Sequence, residues 1–226
     1  SHELRTPLNA IAGYAELIEM GLRGPVTAEQ LKDLNRIQES QRHLLGLINS
    51  ILNFAKLEAG QVQFNIGRIK LSRVLNSVEA LTAPQMASRR LRYAIGACDA
   101  ELFVLADEEK LRQILLNLLS NSVKFTEPTG SVSVECSEED GTVSIKVADS
   151  GRGISEDHLA SIFEPFVQVG RDVGNQASGV GLGLAISRDL ARQMGGELSA
   201  ASTPGVGSQF TVTLRRADGD GQPSES

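Results

Sequence analysis

Apolar residues recur at alternating steps of four and three over the first 22 positions: Leu4, Leu8, Ile11, Ala15, Ile18 and Leu22. At about 100° per residue they form one stripe, which predicts an amphipathic helix. Gly21-Leu22-Arg23-Gly24-Pro25-Val26 is a turn by composition. Thr27 then reads as an N-cap with Gln30 at the capping-box position. The helix it opens carries Leu31, Leu34, Ile37, Gln41, Leu44, Leu45, Ile48, Ile51, Leu52 and Ala55 on one face, and Gly60 stops it. A lone hairpin of this length leaves one side of each stripe uncovered. The pattern over residues 1–60 therefore predicts a hairpin that pairs with a second copy as a four-helix bundle.

Beyond a linker at 61–67 the period changes. Leu71, Val74, Leu75, Val78, Leu81 and Met86 predict one or two helical turns, interrupted at Pro84. Leu102-Phe103-Val104-Leu105-Ala106 predicts a short strand, after which Asp107 caps a helix facing inward with Leu111, Ile114, Leu115, Leu118, Leu119 and Ser122. Alternation at Val132, Val134 and Cys136, and again at Val143, Ile145 and Val147, predicts a β-hairpin turning through 138–141. Ser155 reads as the N-cap of a helix with Ile154 and Leu159 as its staple and Phe163 and Phe166 as packing residues at its end. A second strand pair, 197–202 and Phe210, Val212 and Leu214, turns at Pro204-Gly205-Val206-Gly207. Helices against a mostly antiparallel sheet give an α+β sandwich over 68–216. The polar tail, 217–226, is predicted to be disordered.

A formal net charge of −6 argues against a general nucleic-acid binder. No apolar run reaches the length of a membrane span and no secretory signal is present, so a cytoplasmic setting is expected. There, Cys98 and Cys136 would be buried free thiols. The chain opens inside a helix, which suggests a fragment whose upstream sensor region is missing.

Four constellations change this picture. His2 lies roughly 200° from the centre of the first stripe, so it points to solvent, beside Glu3 and one turn from Thr6. Asn117, Asn121 and Lys124 share one helical face; carboxamides can ligate Mg²⁺ or donate to phosphate, and lysine supplies charge, although a solvated polar face has the same spelling. Asp149-Ser150-Gly151-Arg152-Gly153 puts a carboxylate at a strand end beside glycines that let a ligand approach the backbone. Finally, the stretch 167–179 has little to bury, and it runs into Gly179-Val180-Gly181-Leu182-Gly183 at a helix start. That combination predicts a mobile lid hinged on a phosphate-binding turn. Neither a P-loop nor a dinucleotide fingerprint is present.

In this order, over roughly residues 1–216, the pieces resemble the bacterial sensor histidine kinases of two-component signalling. His2-Glu3-Leu4-Arg5-Thr6-Pro7-Leu8 resembles the phospho-acceptor box, and the ten residues from Asn117 to Thr126, which include Phe125, resemble the N box. Asp149 to Gly153 resembles the first glycine box, Phe163-Glu164-Pro165-Phe166 the F box, and Gly179 to Gly183, which includes Leu182, the second glycine box. The resemblance implies a dimeric phosphotransfer bundle followed by a Bergerat-type ATP-binding domain. It implies ATP and Mg²⁺ as cofactors, phosphorylation of His2 with Glu3 as base, and transfer to an aspartate of a response regulator. Thr6 would orient water for the reverse, phosphatase reaction. Asn117 would ligate Mg²⁺, Asn121 and Lys124 would contact phosphates, and Asp149 would read the adenine amino group. Gly151, Gly153, Gly181 and Gly183 would shape the pocket, with Arg171 in the lid as a γ-phosphate contact. An ATPase of the gyrase or Hsp90 kind and a non-catalytic scaffold are the competing expectations, and the helical hairpin with its His-Glu pair weighs against the first.

Overall fold

A computed structural model describes residues 2–96, 98–168 and 180–217, and the chain divides into two compact units, Ser1–Val62 and Gln63–Ser226. The first unit is a helical hairpin of α1 (His2–Glu19) and α2 (Ala28–Glu58). The capping box at the start of α2 is complete: Thr27 Oγ1 accepts from Gln30 N, and the Gln30 carboxamide accepts from Thr27 N. Gly60 takes the left-handed conformation that ends α2, with Gly60 N–H bonding to Leu57 O and Gln61 N–H to Lys56 O. Only part of each apolar stripe is buried within the hairpin. Leu8, Ala15, Leu34 and Gln41 are buried, whereas Leu4, Ile11, Ile18, Ile37, Leu44 and Ile51 stay exposed. Pro7 lies inside α1 on its exposed side without ending it. Among the described residues no helix is long and apolar enough to cross a membrane.

The second unit is built on a five-stranded sheet in the order β2-β4-β5-β7-β6. Its strands are β2 (Arg92–Ile95), β4 (Ser131–Glu139), β5 (Thr142–Asp149), β6 (Glu197–Thr203) and β7 (Gly207–Arg215). All pairings are antiparallel except β2 with β4, which is parallel. A separate antiparallel pair joins β1 (Gly67–Lys70) to β3 (Phe103–Ala106). The helices are α3 (Leu71–Ser88), α4 (Glu108–Phe125), the single turn α5 (Glu156–Leu159) and α6 (Gly183–Gln193). The core forms where α4 brings Leu111, Ile114, Leu115 and Leu118, each fully buried, toward the Val143, Ile145 and Val147 face of β5. Each such side chain contributes about 1.5–3 kcal/mol by leaving water.

Several expectations need correction. The strand at 103–106 forms but pairs with β1 rather than joining the main sheet, and neither β1 nor β2 stood out from the sequence. Pro84 does not interrupt α3; it and Ala80, whose carbonyl it leaves unbonded, both face solvent, so water can replace the missing N–H. The hairpin turn between β4 and β5 is only Asp140-Gly141, both at positive φ, and Glu138 and Glu139 belong to the strand. Ser155 stands at the N-cap of α5 but makes no side-chain cap bond, and α5 ends before Phe163. Phe163 packs inward as expected, whereas Phe166 is exposed and sits at positive φ.

The cysteines are also not free thiols. Cys98 and Cys136 form a disulfide with Cα atoms 4.7 Å apart. The parallel pairing of β2 with β4 carries the chain past Ile95, opposite Val134, and so brings Cys98 to Cys136. Ala217 is buried, and its N–H bonds to Phe103 O; residues 218–226 lie outside the described residues.

Candidate active site

The polar face of α4 organises the site. Asp107 caps the helix through Oδ1, which accepts from Lys110 N, while its Oδ2 accepts from Asn65 N at 2.8 Å. Burial alone would raise the Asp107 pKa, but N–H groups of Asn65, Lys110 and Glu109 and the Lys110 charge hold it below its ordinary value. One carboxylate thus fixes both the start of α4 and the chain entering this unit. The free part of the expected linker shortens accordingly, since Asn65 is held and Gly67 already belongs to β1.

Two turns along α4, Asn117 is half-buried and its Nδ2 donates to Ser187 Oγ on α6 at 3.0 Å. Gly183, the first residue of α6, lies so near the same carboxamide that a Cβ there would collide with Asn117 Oδ1. Because Ser187 occupies the amide nitrogen, the oxygen is the end left for a cation. Among the described residues no group of three His, Cys, Asp or Glu side chains could hold a metal. A lone carboxamide oxygen suits Mg²⁺, which keeps waters and phosphate oxygens as its other ligands.

At the C-terminal end of α4, Ser122 is buried and its hydroxyl points at Asp149 Oδ2, 3.4 Å away. Asp149 Oδ1 accepts from Gly151 N at 2.9 Å, and Ser208 backbone N–H also bonds the carboxylate. Burial raises the Asp149 pKa above its ordinary value, and these three hydrogen bonds offset it only in part. Gly151 leaves no room for a side chain: a Cβ would lie 2.8 Å from Asp149 Oδ1 and also press on Phe125 O. Arg152 N–H bonds to Phe125 O, so the turn after β5 is stitched to the end of α4. Gly153 and Gly181, both at positive φ, lie tight against Thr203 and against Phe166–Val167 respectively.

The cations gather around one ring. Lys124 Nζ lies 4.9 Å and the Arg152 guanidinium 4.7 Å from the Phe125 centroid. Burial, followed by repulsion from Arg152, lowers the Lys124 pKa. A polyanion between the two would relieve that repulsion. Asn121 is half-buried one turn before Phe125, and Leu182 is buried just ahead of α6.

The other expected residues lie in the first unit or outside the described residues. In the first unit, His2 opens α1 but its side chain is not among those described; Glu3 occupies the acidic first turn, and Glu3 and Thr6 are exposed. Arg171, Gly179 and most of the expected lid lie outside the described residues. Two groups were missed. Ser187 shares the buried face of α6 with Ala185, Ile186, Leu190 and Ala191, and Ser122 falls in the apolar stripe of α4. A hydroxyl within a buried helix face was the available signal for both.

Residues 106–218 match the model of the histidine kinase-, DNA gyrase B- and HSP90-like ATPases, and residues 1–60 match the His Kinase A phospho-acceptor domain. The chain is 37% identical over 219 residues to the sensor histidine kinase GacS of Pseudomonas protegens, covering 95% of this chain and 24% of that protein. It is 40% identical over 217 residues to the aerobic respiration control sensor protein ArcB of Escherichia coli, covering 95% of this chain and 27% of that protein. The chain therefore spans about a quarter of the length of these curated relatives. Full-length ShkA in complex with AMPPNP superposes with a TM-score of 0.81 at 38% identity, covering 97% of this chain and 45% of that one. From the acceptor-domain match through the ATP-binding fold, the chain belongs to the sensor histidine kinases.

Proposed function

We propose that the chain uses ATP to phosphorylate His2 and passes the phosphoryl group to an aspartate of a response-regulator receiver domain. In the first step an imidazole nitrogen attacks the γ-phosphorus. The bond to the ADP oxygen breaks, a phosphoramidate forms, and the imidazole proton passes to Glu3. In the second step an aspartate carboxylate takes the phosphoryl group and the imidazole leaves. Thr6 orients the water that hydrolyses the resulting acyl phosphate, giving the phosphatase activity.

Asp149 accepts a hydrogen bond from the adenine amino group. Asn121 and Lys124 hold phosphates, with Arg171 at the γ-phosphate and the 179–183 turn offering backbone N–H groups. Mg²⁺, held by Asn117, supplies neutralisation of phosphate charge. The remaining work is positioning, which is what a rigid helix provides. The first unit pairs with a second copy through the exposed faces of α1 and α2, and a sensor region of the parent protein supplies the signal.

A single observation carries the reading: one helix, α4, presents the Asn117–Ser187 pair and the Lys124 of the Lys124–Phe125–Arg152 cluster on its polar face and meets Asp149 through Ser122 on its buried face. Incubation with γ-labelled ATP is the test. The protein is expected to acquire acid-labile, base-stable label that both His2→Gln and Asp149→Asn remove. Release of free phosphate with no protein-bound label would favour an ATPase instead.

A further inference from the structure

The Cys98–Cys136 disulfide has no part in nucleotide chemistry, yet its position is informative. It closes a covalent ring between residues 38 apart, and that ring contains β3, the Asp107 cap, all of α4 and the start of β4. Every α4 residue assigned above to metal or phosphate therefore lies inside it. The segment bearing Cys98 is also held without the sulfur bridge. Gly96 N bonds to Val134 O at 2.7 Å on the β4 side. On the α3 side, Leu71 N bonds to Leu102 O at 2.9 Å, Ser72 Oγ to Ala100 O at 3.3 Å, and Lys70 pairs with Glu101 at 2.8 Å. The fold therefore has anchors that outlast the bridge. Both cysteines are only partly buried, Cys98 just past the end of the edge strand β2 and Cys136 on β4 beyond the last residue that β2 covers.

We propose that Cys98 and Cys136 are a reversible thiol–disulfide site, and that its state sets the rigidity of the ring that carries the phosphate-binding helix. The inference rests in part on the reading above. A domain that works on ATP meets the glutathione and dithiol proteins that hold thiols reduced, and a disulfide in that setting is a redox state rather than a permanent staple. The exchange balances without further reagents. One thiolate of a dithiol attacks a cysteine sulfur, forming a mixed disulfide and releasing the other cysteine as thiolate. The second thiolate of the reductant then attacks the mixed disulfide and frees the remaining cysteine. The reductant departs as its own disulfide, and two electrons and two protons have moved to the protein. Oxidised glutathione reverses the sequence.

The test uses the full chain equilibrated in glutathione buffers of graded ratio. Samples are alkylated and weighed by mass spectrometry, with melting and binding of a fluorescent ATP analogue measured on the same material. The expected result is one two-thiol transition between unlabelled and doubly labelled protein. The reduced form should melt about 5–10 °C lower, because a ring of this length is opened. It should bind the analogue about fivefold more weakly, the low end of ordinary coupling between sites. Cys98→Ser and Cys136→Ser should both behave as the reduced form and lose all redox dependence. The proposal is overturned if both thiols stay labelled at every ratio, if the bridge resists full reduction, or if the two forms melt and bind alike. Failure of the analogue to bind in either form would instead count against the kinase reading, and alkylation with melting would still decide the redox site.

Discussion

The two units solve the burial problem in opposite ways. In Gln63–Ser226 the apolar faces of α4 and β5 close on each other, and Leu111, Ile114, Leu115 and Leu118 reach 0% exposure. In Ser1–Val62 the stripes are just as regular, yet Leu4 is 52%, Ile11 48%, Ile37 45% and Ile51 45% exposed. An apolar stripe thus has two meanings: a finished core, or a surface kept for a second helical pair. The unit matched to the ATP-binding family closes its core on itself, whereas the proposed pairing with a second copy would complete the hairpin.

The largest effect that can separate the units is at the open stripe. Ile51→Glu puts a charge into each half of a two-fold interface, so association should weaken by about a hundredfold or more, read by analytical ultracentrifugation. Nucleotide affinity should be unchanged, and a loss there would break the comparison. Next, Leu115→Ala should cost about 2–5 kcal/mol of stability in urea unfolding of the second unit, with association through the first preserved.

Within the site, Asp149→Asn should weaken nucleotide binding about tenfold or more, since a charged acceptor is lost. A pH titration sharpens this. Burial raises the Asp149 pKa, so the carboxylate form that accepts a hydrogen bond is lost as pH falls through a value above the ordinary 3.8. Wild-type affinity should drop there while Asp149→Asn lacks that step, and titrating both cancels protonation of the nucleotide itself. For folding the sign is opposite. The buried carboxyl costs stability once ionised, so its contribution declines as pH rises from 3.8 toward the folded-state pKa and is flat above it.

The smallest effect belongs to Ser187→Ala, which frees Asn117 to turn its amide. Binding of the Mg²⁺ complex should weaken about fivefold, equivalent to roughly 1 kcal/mol, with metal-free nucleotide binding unaffected. Equal losses with and without metal would mean that Ser187 only packs.

The helices were legible in the sequence because their signals are local. Thr27 with Gln30, Asp107 with Lys110 and Gly60 are caps whose partners lie within a few residues. The Asn117, Asn121 and Lys124 face and the Asp149 turn were legible for the same reason, since one helix or one strand end spaces them. What stayed hidden depends on distant pairing. β1 and β2 have four residues each, too few to show a period, and β2 joins β4 only after the chain has passed through β3 and the whole of α4. The disulfide follows from that pairing and could not precede it. Ser187 meets Asn117 across 70 positions, a contact that no local rule reports. The exposed Phe166 was misread because an aromatic near a helix end usually packs, and here the chain has left the helix before reaching it.

The central claim is that α4 assembles the nucleotide site within Gln63–Ser226 without help from the hairpin. Calorimetric titration of residues 63–226 with a non-hydrolysable ATP analogue and Mg²⁺ tests it most directly. The account expects one site per chain with the affinity of the full chain, abolished or sharply weakened by Asp149→Asn. Absence of binding by this segment, while the full chain binds, would contradict it.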